Sequence, residues 1–245
     1  MRGKETSPVY HDQEAVYMST IEKDQNHSLL DEVSIDESKI NELIEKYDAE
    51  SRYRKLTGLQ GKFITAWLCA MSLFHLYTAG IATMPITIQR AIHLTFAIVA
   101  VYILFPAGRK GSKTSTPIYD WILAALAGGV IGYIIFFFND IARRGAEPLP
   151  YEIWLGIAAI ILVLEAGRRV VGNVLPCMSI LFLLYCRFGY MVPGMFQIRG
   201  YSLSRIIQHM YLTPEGIFGL ALGVSATFVI VFIIFGAFLS QSGGA

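Results

Sequence analysis

The sequence predicts an all-α, polytopic membrane protein with about six transmembrane helices, an interfacial amphipathic helix and a partly disordered N-terminal tail. Three observations predict it. Apolar residues make up 54% of the 245-residue chain and charged residues 16%, against roughly 25% charged in a soluble domain. Beyond Lys62 the chain falls into stretches without Asp, Glu, Lys or Arg that approach the ~20 apolar residues needed to cross a bilayer. The acids are also segregated: 13 of the 19 lie in the first 50 residues, so a formal net charge of +1 conceals a strongly asymmetric chain.

Residues 1–61 read as a soluble tail. Glu5, Asp12, Glu14, Glu22 and Asp24 and a second acidic cluster from Asp31 to Glu50 leave too little apolar content in its first half to form a core. From Ser34 to Leu56, Ile35, Ile40, Leu43, Ile44 and Tyr47 fall at spacings that predict a juxtamembrane amphipathic helix. Arg52, Arg54, Lys55 and Lys62 follow as a basic collar suited to a membrane surface. No secretory signal precedes the first apolar run, and no basic surface suits nucleic acid.

The charge-free stretches 63–89, 91–108, 121–138, 153–164, 170–186 and 216–245 set the spans. The fourth is short and is extended from about Pro150 to Gly167, which places Glu152 and Glu165 near the two interfaces. With the N-terminus in the cytoplasm, the inside segments carry Arg52, Arg54, Lys55, Lys62, Arg109, Lys110, Lys113, Arg168 and Arg169. The outside segments carry Arg90, Arg143, Arg144, Arg187, Arg199 and Arg205, and this basic bias favours that orientation. The loop from Asn139 to Pro150 is expected outside, its arginines partly balanced by Asp140 and Glu147. Between Pro193 and Gly216, Tyr201–Leu212 predicts an interfacial helix capped by Ser202 or Ser204. Leu203, Ile206, Ile207, Met210 and Tyr211 lie on one of its faces and Arg205, Gln208 and His209 on the other, with Pro214 and Gly216 ending it.

Small residues at spacings of four, Ala124, Gly128 and Gly132 in the third span and Gly219, Gly223 and Thr227 in the sixth, predict close helix packing. Ile131 and Ile135 are expected to matter less to that contact. Cys69, Cys177 and Cys186 sit in apolar runs with no disulfide or metal spacing and read as buried free thiols. His75 and His93 are candidates because intramembrane histidines are rare, but with no carboxylate in the same run the plainer reading is structural: His93 shallow, His75 nearer mid-span. Glu165 with Arg168 and Arg169 has the spacing of a helical ion pair at the cytoplasmic interface. Asp120 complements the positive end of the third span. Pairs for zinc, a nucleophile elbow and a phosphate-binding glycine loop are all absent, so the protein is expected not to be an enzyme, with no catalytic, cofactor-binding or metal-binding residue assigned.

Several ordered blocks carry a resemblance: Glu165-Ala-Gly-Arg-Arg-Val-Val-Gly, Arg199-Gly-Tyr-Ser-Leu, Tyr211-Leu-Thr-Pro-Glu-Gly-Ile-Phe-Gly, Leu222-Gly-Val-Ser-Ala-Thr-Phe-Val and Phe235-Gly-Ala-Phe-Leu-Ser-Gln-Ser-Gly-Gly. Over about 80 residues the chain resembles the fused permease of TRAP transporters, the 4TM/12TM type associated with TAXI-class binding proteins. By number and position of helices, 62–167 resembles the small, Q-type part and 168–245 the start of the large, M-type part, while the tail has no counterpart. The resemblance implies a permease of the bacterial or archaeal cytoplasmic (inner) membrane, in a sodium-driven symport system. Its expected partners are the lipid bilayer, a periplasmic substrate-binding protein that delivers an organic acid, and the remainder of the permease's transport domain. It further implies that this chain, a truncated portion ending at Ser242-Gly-Gly-Ala, supplies scaffold, with the sodium and substrate contacts outside it. Composition and spacing alone also allow a non-transporting membrane scaffold that binds a partner, or a small membrane-embedded enzyme, which would call for paired intramembrane carboxylates or histidines close in sequence that are not seen.

Overall fold

The computed structural model describes residues 53–108 and 114–243, all within one unit of the chain, 52–245. Residues 1–52 of the expected tail, with its expected disorder and the amphipathic helix up to Arg52, and the basic residues Arg109, Lys110 and Lys113 lie outside the described residues, while the last four residues of the expected tail, 58–61, open the first helix. Residues 53–56, the end of that expected helix, are not helical. The described chain is all helical: α1 (Gly58–Gly80), α2 (Ile86–Leu104), α3 (Ile118–Arg143), α4 (Pro150–Val171), α5 (Val174–Phe188), α6 (Leu203–Ile207), α7 (Leu220–Val224) and α8 (Ile230–Gln241). Two short 3-10 turns, Gly189–Met191 and Gly194–Phe196, follow α5. A π-helical turn, Gln208–Leu212, extends α6, and another, Ser225–Val229, joins α7 to α8.

Five segments are long and apolar enough to cross a membrane: α1, α2, α3, Val174–Met191 and Leu220–Gln241. The protein is a membrane protein by that measure. The remaining expected span, α4, forms a helix of 22 residues, about 33 Å long, and carries four charges, Glu152 in its first turn and Glu165, Arg168 and Arg169 in its last turns. The first apolar stretch, 63–89, divides at 81–85, so Gln89 and Arg90 fall in the opening turns of α2. The loop expected from Asn139 to Pro150 is shorter, because α3 continues to Arg143. The expected boundary at 167/168 falls inside α4.

The core lies between α2 and α3, where Ala91, Ile98, Tyr102 and Ile103 meet Ala124, Ala127, Ile131 and Ile134. Alanines at the contact let the two backbones approach, and that close packing supplies attraction which lipid, as apolar as the side chains, does not. Gly128 shares this face, its Cβ position 3.6 Å from Val99. Ile131, expected to matter less to this contact, is buried in the core, and Ala125 and Gly129 are exposed, because the packed stripe winds through 124, 127, 131 and 134. The cysteines are also corrected: all three are free, but Cys69 and Cys177 are exposed and Cys186 is half-buried. Helix faces that meet acyl chains need no polarity, which is why Phe136, Trp154, Phe232 and Phe238 are exposed as well.

Ser202 caps α6, its hydroxyl accepting from Arg205 N at 3.3 Å. Of the face expected to be apolar, Ile207 and Tyr211 are fully buried with Leu212, whereas Leu203 is exposed. The helix therefore turns that face to the bundle, seated over Gly156 of α4, and the Tyr211 hydroxyl donates to the Val130 carbonyl of α3. Arg205 and His209 lie on the outer side, and Gln208 Nε2 donates to Gly145 O at 3.3 Å. A Cβ at 156 would stand only 2.4 Å from Ile207 Cγ2. Gly156→Leu is expected to displace α6 and lower stability by about 1–3 kcal/mol, as overpacking does, while Gly129→Leu, with open space around it, changes little. Thermal unfolding of the two variants in detergent checks this, and equal midpoints would remove the proposed seat.

Candidate functional site: polar groups within the spans

Among the described residues, every buried charge is answered by protein groups, and the largest such cluster joins the C-terminal end of α2 to the start of α3 and the end of α4. Asp120 is fully buried in the first turn of α3. Arg54 Nη2 donates to its Oδ2 at 2.6 Å and Arg169 Nη1 to its Oδ1 at 2.7 Å. The same arginines satisfy carbonyls that a helix end leaves without partners. Arg54 donates to Ile103 O at 2.9 Å and Tyr102 O at 3.3 Å, and Arg169 to Phe105 O at 3.2 Å. Arg169 also lies over the Tyr102 ring, 4.7 Å from its centroid.

Glu165 pairs with Arg168 at 2.7 Å and Arg169 at 3.0 Å, as the spacing predicts. Its role differs from a surface anchor, because Arg169 is buried and carries the pair inward to Asp120. Two further expectations are corrected. Arg54, read as part of a membrane-surface collar, is 1% exposed inside the cluster, since Asp120 and the α2 carbonyls neutralise it there. Asp120 does stand at the positive end of its helix, but two guanidiniums hold it. The signal available in sequence was a lone acid between two apolar runs, a placement that requires a partner.

A second cluster closes the opposite end of α3 and α4. Glu152 is fully buried, with Arg144 donating to both oxygens at 2.7 and 3.0 Å, Tyr133 Oη at 2.6 Å and Leu149 N at 2.7 Å. Arg144 thus pairs with Glu152, while it touches Asp140 and Glu147 only through their carbonyls. Arg90 of α2 reaches the chain ahead of α7, donating to Phe218 O at 2.7 Å and Pro214 O at 3.3 Å. Gly223 gives it room: a Cβ there would lie 2.5 Å from Arg90 Nη2. The small residue at 223 accommodates a guanidinium, and Gly219 marks the start of α7 rather than a packed stripe.

Within the spans, His75 and His93 are both buried inside the protein, with His93 two turns into α2 because that helix starts at Ile86 rather than near Gln89. His75 Nδ1 lies 2.7 Å from Met71 O, His93 Nδ1 lies 2.9 Å from His75 Nε2, and His93 Nε2 lies 3.1 Å from Ser225 Oγ. Ser225, which the sequence reading did not single out, opens the π-helical turn between α7 and α8. Beside His75 is a cavity of about 190 Å³ lined by Thr78, Thr83, Gln89 and Thr227 among others. Among the described residues no group of three His, Cys, Asp or Glu side chains could hold a metal ion.

Comparison with known proteins gives no match to a family model, a curated protein or a solved structure. Removing Asp120 tests how the first cluster stabilises the fold. Asp120→Ala leaves two buried guanidiniums facing each other and is expected to cost about 3–5 kcal/mol, the loss typical of one partner missing from a buried ion pair. Glu165→Gln, at the half-exposed edge, is expected to cost much less. Unfolding of both variants in detergent measures the difference, and an unchanged Asp120→Ala protein would show that the cluster is not a stabilising link.

Proposed function

We propose that this chain is part of the permease of a TRAP-type secondary transporter, of the fused 4TM/12TM kind, and that it supplies fixed scaffold beside a moving transport domain. The observation that carries the reading is the ordered set of sequence blocks from Glu165 to Gly244. The bundle offers physical support. Ion pairs fasten α3 to α4 at both ends, at the buried Asp120–Arg169 and at Arg144–Glu152, where the carboxylate is buried and the arginine partly exposed, as suits a part that stays still. Transported sodium needs several oxygen ligands, which membrane transporters draw from unwound carbonyls near the bilayer midplane. Among the described residues, the carboxylates that enter the bundle are committed to arginines, and the π-helical turn at Ser225–Val229 widens the last span without unwinding it.

In this reading the system imports an organic acid, driven by sodium and delivered by a periplasmic binding protein. The membrane is the bacterial or archaeal cytoplasmic membrane, with the N-terminus in the cytoplasm. The Asp120 cluster then faces the cytoplasm, and the Glu152 cluster and the Gly189–Phe196 turns face outward. Single cysteines at Thr114 and Gly145, in a chain lacking the native three, are expected to label from opposite sides with an impermeant thiol reagent. Equal labelling from outside would overturn the orientation. Proteoliposomes holding only residues 1–245, supplied with a TAXI-class binding protein from the same genome, are expected to show no sodium-driven uptake. Uptake under those conditions would mean that the transport site lies in this chain and that the scaffold assignment is wrong.

A further inference from the structure

None of the roles above uses His75, His93 and Ser225, and their hydrogen-bond directions follow from the count of donors. A carbonyl oxygen only accepts, so the contact with Met71 O requires the hydrogen on His75 Nδ1. A neutral imidazole has one N–H, which leaves His75 Nε2 as acceptor and makes His93 Nδ1 the donor across their 2.9 Å contact. His93 Nε2 is then bare and accepts from the Ser225 hydroxyl. With both rings neutral, the chain runs in one direction, from Ser225 on the last span through α2 to α1, and both ring nitrogens of each histidine are engaged.

The same geometry fixes how many further protons the pair takes. One has a place on His93 Nε2, which then donates to Ser225 Oγ. The serine hydroxyl turns to a carbonyl of the preceding turn, as the Thr227 hydroxyl donates to Gly223 O at 2.9 Å. The positive charge is shared, because moving the hydrogen across the contact between the rings carries it from His93 to His75. A second proton has no place: two charged rings would oppose one N–H to another across 2.9 Å. We propose that His75 and His93 form an intramembrane binding site for a single proton, with Ser225 switching from donor to acceptor when the site fills.

The cavity beside His75 offers a source. Its walls carry Thr78, Thr83, Gln89 and Thr227, and its volume of about 190 Å³ has room for water hydrogen-bonded to them. The charged groups around the pair are few. α1 holds only Lys62, α2 only Arg90, and α7 and α8 none. Arg90, one turn before His93, is occupied by the Pro214 and Phe218 carbonyls. Glu215, in the same connection, is exposed and lies 3.2 Å from His209. α3 and α4, which also pack on α2, carry Asp120, Glu152 and Glu165, all held by arginines, and Asp140, which is exposed. Neither these nor any charged group on α1, α2, α7 or α8 contacts the two rings, so the proton's position is decided between them.

Nitrogen-15 NMR of histidine-labelled full chain in lipid nanodiscs tests the proposal, with the pH lowered from neutrality to the limit at which the discs survive. At neutral pH both residues are expected as neutral rings carrying hydrogen on Nδ1. On acidification their resonances are expected to move together in one step that adds one proton per pair. In His75→Phe the joint step should be replaced by titration of His93 alone. Two protons taken up per pair, independent steps for the two residues, or no uptake over the whole range would each overturn the site. Should His75→Phe fail to insert, the proton count of the unsubstituted chain decides by itself.

Discussion

A bilayer core supplies no water to a polar group, so each charge or free peptide group that enters it must find its partner within the protein. That constraint is clearest at Asp120. A buried carboxylate accepts from one arginine on each oxygen, and those arginines in turn occupy the carbonyls that end α2. One small cluster therefore meets several requirements together: the exposed carbonyl end of α2, the positive end of α3 and the charges of two arginines. Remove Asp120 and two buried guanidiniums lose the carboxylate that neutralises both.

The same logic, repeated at the far end, explains why α4 tolerates charges in its first and last turns. Glu152 accepts four hydrogen bonds and Arg169 is spent on Asp120 and Glu165, so the helix presents little unanswered charge. Apolar packing fills the space between. The alanines of α2 and α3 allow the tight contact that gives the bundle its core, and Gly156 extends it to a sixth helix that a larger residue would push away. Amphipathic segments such as α6 face a choice between lipid and protein, and the notch at Gly156 settles it toward protein.

The helices themselves were legible in the sequence, because charge-free stretches report directly on the solvent around a span. Partners were not. Glu165 with Arg168 and Arg169 was readable, since neighbours one turn apart meet on any helix. Arg54 with Asp120 was not, since the two are 66 residues apart and nothing local distinguishes a charge bound for the interior from one bound for the membrane surface. The histidines were misjudged for a related reason: lacking a carboxylate in their own run, they seemed alone, yet each was the other's partner across 18 residues. Burial was misread where lipid replaces water, as at the cysteines, because an apolar residue in a span has two equally good destinations.

The contact between Arg90 and the Phe218 carbonyl, 128 residues apart, has a consequence for the order in which the chain is made. A ribosome emits Arg90 long before its acceptor exists, so this arginine has no Phe218 carbonyl to donate to while α3, α4 and α5 are threaded. Asp120 has a shorter delay, since Arg54 is already present when it emerges and Arg169 follows 49 residues later. The first four helices can thus settle their charges while translation continues, and the last span is latched to α2 only afterward. On this order of synthesis the bundle closes in stages, with Arg90 reaching the carbonyl of Phe218 only once the chain ahead of α7 has been made.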